Sequence, residues 1–339
     1  MTLFELTRAL VDIESITNNE ERVARFLYEH LSELAARFAG RVECLEVESR
    51  RFNLFAQWGD ELTVTLSTHL DTVPPFIASS EDETYIYGRG SCDAKGIIAA
   101  MIKAVEALLE SGRRNFGLLF VVGEERNSAG AYHAAHTARG SRYIVNGEPT
   151  GNQLALGSKG ALRYEVVAAG KMAHSAYPEL GDSAIHKLID ALAEMRRIPL
   201  PVDPLLGPST LNIGTISGGR APNVVADEAR AEILVRLVSD SAETRQALER
   251  ACEGRAELRE IIEIPALRLN SLEGFPTTVV AFTTDIPAYN GQWGEPFLLG
   301  PGSIHVAHTL EERVPKAQLI EAVEIYQRMV IELCNRASK

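Results

Sequence analysis

Residues 62–71 read LTVTLSTHLD. A run of apolar and β-branched residues ends abruptly in His69-Leu-Asp71, and Pro74-Pro75 then breaks the chain. The construction recurs downstream. Residues 116–122 form a continuous apolar run, as a buried parallel strand would, and deliver Gly123-Glu124-Glu125. Residues 143–145 form a shorter run and deliver Asn146-Gly147-Glu148-Pro149. A glycine turn, Gly88-Arg-Gly90-Ser-Cys-Asp93, adds another acid before a helix pattern over 94–111 closed by Gly112. In open α/β sheets ligands collect outside the carboxyl ends of the strands, so a site is expected there.

Upstream of this region, Leu3, Leu6, Leu10 and Ile13 recur at helical spacing. Thr17 stands three residues before Glu20, a capping-box pattern that predicts a helix running to Gly40, with strands over 41–47 and 53–58. Downstream, the texture changes near Lys159. An alternating strand (161–169), a helix (183–195), two strand runs flanking Gly218-Gly219, a helix (242–252) and a strand (257–264) give the order β-α-β-β-α-β. After Pro265 come an apolar strand (278–282), the loop Gly300-Pro-Gly302 and a closing helix from Pro315. The expected organisation is an α/β domain of residues 1–159 plus 265–339, interrupted by an inserted α+β domain of residues 160–264.

Composition limits the function classes. With 339 residues the chain has room for about two domains, and its 45% hydrophobic and 24% charged content is that of an ordinary globular protein. The 46 acidic against 34 basic side chains, net −12, argue against a nucleic-acid or anionic-membrane partner. Cys44, Cys92, Cys252 and Cys334 lie far apart with no CxxC pair, which fits a reducing compartment. The N-terminal stretch has no apolar signal-peptide core, and no apolar run is long enough to span a bilayer. These readings predict a cytoplasmic protein.

Imidazoles and carboxylates at strand ends are the donor types of an open catalytic zinc site. Adjacent glutamates on extended backbone point in opposing directions, so one can bind metal while the other faces substrate. Two metal ions would balance the accumulated negative charge. Several weaker features read as ordinary. Glu20-Glu21 and Glu311-Glu312 are expected to be solvated pairs, His133 and His136 a helix-surface pair, and Cys92 a packed small residue. Gly88-x-Gly90 lacks the third glycine of a dinucleotide loop, and no GxSxG elbow occurs.

The stretches STHLDTVP (67–74), GRGSCDAKG (88–96), VVGEERNSAGA (121–131), NGEPTGNQLALGSKG (146–160), GKMAHSAYPELGDSAI (170–185), APNVVADEA (221–229) and GPGSIHVAHTLEE (300–312) span nearly the whole chain. In that order they resemble the dinuclear-zinc amidohydrolase and peptidase family. That family includes acetylornithine deacetylase, succinyl-diaminopimelate desuccinylase, aminoacylases and bacterial glutamate carboxypeptidase. The resemblance implies a zinc-peptidase-like mixed-sheet catalytic domain with an inserted ferredoxin-like domain that acts as a lid and dimerises. It implies two divalent metal ions, zinc or cobalt, with His69 and Glu148 on one, Glu125 and His308 on the other, and Asp93 bridging. His308, rather than His305, matches the family's C-terminal histidine.

It further implies that Asp71 orients His69, that Glu124 is the general base, and that His174 steadies the oxyanion, across a dimer in family members. Asn223, Arg236 and Gly302 match substrate-side positions, although Arg236 in ILVRL could simply pair with an acid at a sheet edge. The family often holds the bond after the bridging aspartate cis, and here Ala94 follows Asp93. The implied reaction is hydrolysis of the amide of an N-acyl amino acid. The stretches GEPT…LALGSKG and GPGSIHVAH look most like acetylornithine and acetyl-lysine deacetylases of arginine or lysine biosynthesis. A dipeptidase or carboxypeptidase acting on peptides is the alternative within the family, and a non-catalytic binding protein the alternative outside it.

Overall fold

The three site-bearing runs become neighbouring strands in one sheet. The computed structural model describes residues 1–338, and packing divides the chain into two units. The first comprises residues 1–156, 269–278 and 284 onward; the second comprises 157–268 with 279–283. The second unit is thus slightly larger than the sequence boundaries suggest, because a short segment after Pro265 returns to it.

The first unit opens with helices α1 (Leu3–Val11) and α2 (Glu21–Phe38). Strands β1 (Arg41–Glu48), β2 (Arg51–Trp58) and β3 (Val64–His69) follow, then α3 (Lys95–Glu110), β4 (Phe116–Val121), α4 (Ala129–His136) and β5 (Tyr143–Asn146). A six-stranded sheet has the order β1-β2-β4-β3-β5 and ends in Glu295–Leu298, a strand the sequence reading missed. The last four of these positions are mutually parallel, whereas β1, β2 and β4 pair antiparallel, so the sheet is mixed.

The apolar run of β4 explains its central place. Phe116, Leu118 and Phe120 enter the core shared with α1, α2, α3 and the C-terminal helix Lys316–Ala337. Leu119 and Val121 point to the opposite core with Phe55, Tyr289 and Trp293. Alternate side chains therefore bury on two faces, each contributing about 1.5–3 kcal/mol.

Capping is set differently from the sequence expectation. Thr2, not Thr17, makes a capping box, with Glu5 at the start of α1. Helix α2 begins after Glu20 with no side-chain cap. Glu20 is fully buried against Arg51, its Oε1 2.6 Å from the guanidinium, so it is not part of a solvated pair. Thr17 is spent elsewhere, on Asp71.

The second unit is a four-stranded antiparallel sheet covered on one face by two helices. Strands β6 (Gly160–Ala169), β7 (Thr210–Gly218), β8 (Glu228–Leu237) and β9 (Glu257–Ile264) lie in the order β7-β8-β6-β9. Helices α5 (Ala184–Met195) and α6 (Ala242–Cys252) share a core with Leu162, Val166, Ile233 and Val235. This is the ferredoxin-like arrangement. Among the described residues no helix is long and apolar enough to cross a membrane.

Candidate metal and catalytic site

The parallel registers bring the functional residues to one edge of the sheet. His69 closes β3 opposite Val121, and Ser67 and Leu298 both align with Asn146. Glu124, Glu148 and Gly300 therefore emerge just beyond neighbouring strand ends. Asp93 arrives from the glycine turn that opens α3, where the Asp93–Ala94 bond is cis.

Asp93 faces two ways. Its Oδ1 is 2.9 Å from His69 Nε2, and its Oδ2 is 3.4 Å from His308 Nε2. His308 Nε2 also lies 3.0 Å from Glu125 Oε1. Ligand atoms of His69, Asp93 and Glu148 lie within 4.8 Å of one another, and so do those of Asp93, Glu125 and His308. His305 stands outside both groups. His308 holds a left-handed backbone, φ 62°, uncommon for a non-glycine residue and typical of a constrained site.

The electrostatics describe a carboxylate cluster short of positive charge. Burial lifts Glu124 far above the ordinary carboxylate range; His69 opposes, while Asp285, Glu125 and Asp93 reinforce the lift. Glu148 is raised for the same reason, burial first and then Glu124 and Asp93. Burial also works against charge on Asp93, but hydrogen bonds from His308 and His69 prevail and hold it low. His308 is raised to about 10 by its hydrogen bonds to Asp93 and Glu125.

Two observations show that the residues fit divalent cations. One oxygen of buried Glu148 has no hydrogen-bond partner, an expensive state for a carboxylate. The His69 and His308 Nε2 atoms also face carboxylate oxygens at 2.9 and 3.0 Å, contacts in which a cation can take the place of a proton. Nitrogen and oxygen donors without a thiolate suit zinc, cobalt or manganese.

Asp71 acts through more contacts than the sequence suggested. His69 Nδ1 meets its backbone oxygen at 2.9 Å, and its carboxylate only at 3.5 Å. The carboxylate instead accepts the N–H groups of Gly123, Glu124 and Glu125 at 3.0, 3.1 and 3.2 Å and the Thr17 hydroxyl at 2.8 Å. Burial penalises this charge, but His69, Thr17 and the Glu125 N–H outweigh it and keep Asp71 below the ordinary range.

Gly302 packs behind the site at φ 90°, and a Cβ there would meet Cys92 Sγ at 2.5 Å. Its N–H goes to Gln318 and its oxygen to Gly151. Cys92 is buried, as a packed residue should be.

Three residues were invisible in the sequence. Thr17 gave only a misleading helix-cap signal. Asp285 is fully buried, and burial, with Asp71 and Glu125, lifts it to about 7 against Ser128 and His69. Glu312 was expected to be solvated beside Glu311, yet Glu312 is 1% exposed and the Glu311 side chain 87%. Of the two helix histidines, His136 is exposed and His133 half-buried.

His174, Asn223 and Arg236 belong to the second unit. His174 and Asn223 are exposed and adjacent: His174 bridges Val224, and Ser175 N–H donates to Asn223 O at 3.0 Å. Arg236 lies near the other end of β8, opposite Ala161. Glu228 and Arg236 are eight positions apart on this strand, about 26 Å at the usual rise. Arg236 occupies an interior strand rather than a sheet edge. It is half-buried, and burial with no acidic neighbour lowers its guanidinium below the ordinary value.

The model of peptidase family M20/M25/M40 matches residues 65–332. The chain belongs to that family. A peptidase M20 domain-containing protein of Schizosaccharomyces pombe is 39% identical over 97% of this chain and 84% of its own length. A protein of Aspergillus flavus named "Probable carboxypeptidase" is 36% identical over 97% of this chain and 89% of its own. Among solved structures, aminopeptidase PepT of Bacillus cereus has a TM-score of 0.80 at 21% identity, covering 98% of each chain. A dinuclear metal binding peptidase of the same family from Bacillus subtilis has a TM-score of 0.69 at 17% identity, covering 98% of this chain and 97% of that one. Both structures share this chain's fold. Within this family the chain is a metal-dependent hydrolase of the metallopeptidase class.

Proposed function

We propose that the chain is a dinuclear metallopeptidase that hydrolyses a peptide or N-acyl amide beside a free carboxylate. The observation that carries this reading is Asp93 presenting its two oxygens to two different ligand groups, with Glu124 in the same buried cluster. In this reading His69 and Glu148 hold one cation, Glu125 and His308 hold the other, and Asp93 is shared. When bound, a pair of divalent cations, zinc first and cobalt as a substitute, supplies Lewis acidity toward the scissile carbonyl and a water.

Glu124 accepts a proton from the attacking water as its oxygen bonds to the carbonyl carbon. It returns that proton to the nitrogen as the C–N bond breaks, so a carboxylate and a free amine leave. Desolvation raises its proton affinity, which favours taking up the water's proton during the reaction. Asp71 fixes the Glu124 backbone, and Arg236 takes the substrate carboxylate in a charge-assisted pair.

The names of the fungal relatives favour a carboxypeptidase over a deacetylase. N-acetyl amino acids are the second reading, favoured by the GEPT and GPGSIHVAH stretches. His174 bridges Val224, ahead of the start of β8, whereas Arg236 lies near the far end of that strand. If both serve one substrate, His174 is supplied by a second copy, and the inserted unit is then a dimer interface as well as a lid. Asn223, adjacent to His174, would act with it.

The test is a screen of dipeptides, acyl-capped peptides and N-acetyl or N-succinyl amino acids with added Zn²⁺ or Co²⁺. Glu124→Gln should abolish turnover and leave the metal content at two ions per chain. Fewer than one ion per wild-type chain after chelator-free purification would sink the dinuclear model. Two bound ions with no hydrolysis of any substrate would favour a binding protein.

A further inference from the structure

The cluster that the hydrolytic reading leaves unused lies behind Asp93. Glu312 Oε1 accepts three backbone N–H groups of the glycine turn: Gly90 at 2.9 Å, Cys92 at 3.2 Å and Asp93 at 3.2 Å. Its Oε2 meets buried Arg89 Nη1 at 2.5 Å, and its backbone oxygen accepts Gly88 N–H at 3.1 Å. One side chain thus satisfies three N–H groups of the turn. Convergent N–H groups form a nest for an anion, and the anion here is a side chain of the same protein.

We propose that Glu312 is a positioning residue that locks the Asp93 turn to the His308 loop and so sets the second metal position. The proposal rests on reading Asp93 and His308 as ligands.

The chain around His308 explains why such a lock matters. Residues 299–312 contain no helix or strand. The loop is fastened on one side at residues 300–303, where Gly300 and Gly302 bond to Thr150, Gly151 and Gln318, and Ser303 bridges Thr150. From there the backbone bonds run locally, Val306 to Ser303 and Thr309 to Val306, until Glu312 reaches the Asp93 turn. His308, four residues before Glu312, can hold its distance to Asp93 only if both ends of its loop are fixed.

The first metal position has independent supports. His69 ends a strand hydrogen-bonded on both sides, and Glu148 follows the neighbouring strand at once. Loss of the lock should therefore release the ion held by His308 and Glu125 before the ion held by His69 and Glu148.

The test titrates the metal-free full-length chain with Co²⁺, reading stoichiometry by equilibrium dialysis and site occupancy by visible absorption. Wild type should bind two ions. Glu312→Ala should bind the ion held by His308 and Glu125 at least about tenfold more weakly, and the ion held by His69 and Glu148, which shares Asp93, with a smaller loss. The double variant Arg89→Met/Glu312→Gln keeps an acceptor oxygen for the three N–H groups and removes the charge pair, so it should recover the second ion. Two ions of wild-type affinity in Glu312→Ala would overturn the proposal, as would equal loss in both variants. If Glu312→Ala fails to fold, the double variant decides: two ions support the lock, and one refutes it. A wild-type chain binding fewer than two ions would instead refute the dinuclear reading itself.

Discussion

Asp71 holds Glu124 by its backbone: the Asp71 Oδ1 atom accepts the Glu124 N–H at 3.1 Å. The backbones of Glu124, the proposed base, and Glu125, a proposed ligand, are therefore held by one carboxylate. Asp71→Asn keeps the shape but places an amide N–H where an acceptor is needed. Activity or metal affinity should fall about 10–100-fold, with the melting temperature little changed. Steady-state kinetics beside Co²⁺ titration would show it, and wild-type values in both would contradict the role.

Among the described residues Arg236 has no acidic partner, unlike most arginines of its unit. If Arg236 takes the substrate carboxylate as proposed, Arg236→Ala should raise KM for dipeptides at least tenfold and leave kcat less affected, because such a contact is made before and during the reaction. Turnover of a C-terminally amidated dipeptide should be insensitive to the change. Equal losses on acid and amide substrates would assign Arg236 to the sheet alone.

The buried Glu20–Arg51 pair joins the start of α2 to β2 at 2.6 Å, both side chains at most 5% exposed. Glu20→Gln leaves a guanidinium in the interior with only Glu48 at 2.8 Å to face. Denaturant unfolding should report a loss of about 3–5 kcal/mol, the usual cost of breaking a buried pair from one side. A loss below about 1 kcal/mol, the range of surface pairs, would mean that the pair is solvated.

Lys95 supplies a pH signature. Burial pulls it down to about 7, against the attraction of Glu312, Asp12 and Glu14, while its ammonium donates to Ile13 O. Its folded value lies below the unfolded value of about 10.4, so the unfolded chain binds more protons between these limits. Stability contributed by this group therefore rises from pH 7 toward pH 10 and is lost as pH falls back across that window to 7. Wild type should gain stability relative to Lys95→Met across that window in chemical denaturation, and parallel curves for the two would refute the shift.

The sequence by itself determined most of the elements and the family. Apolar runs at 116–122 and 143–145 are strands because only a two-sided core accepts them, and their acidic ends had to lie at the sheet's carboxyl edge. The ferredoxin-like order of the insertion was legible for the same reason of periodicity. Tertiary structure decided which polar residues serve which. Thr17 and Glu20 carry a local capping signal, but Asp71 and Arg51, distant in sequence, compete for them and win. Glu311 and Glu312 look identical in the sequence, and only the fold places three N–H groups against one of them and water against the other. Hydrophobic periodicity is a local property and can be read along the chain. The partner of a buried charge is chosen by desolvation, which exists only once distant segments have closed around it.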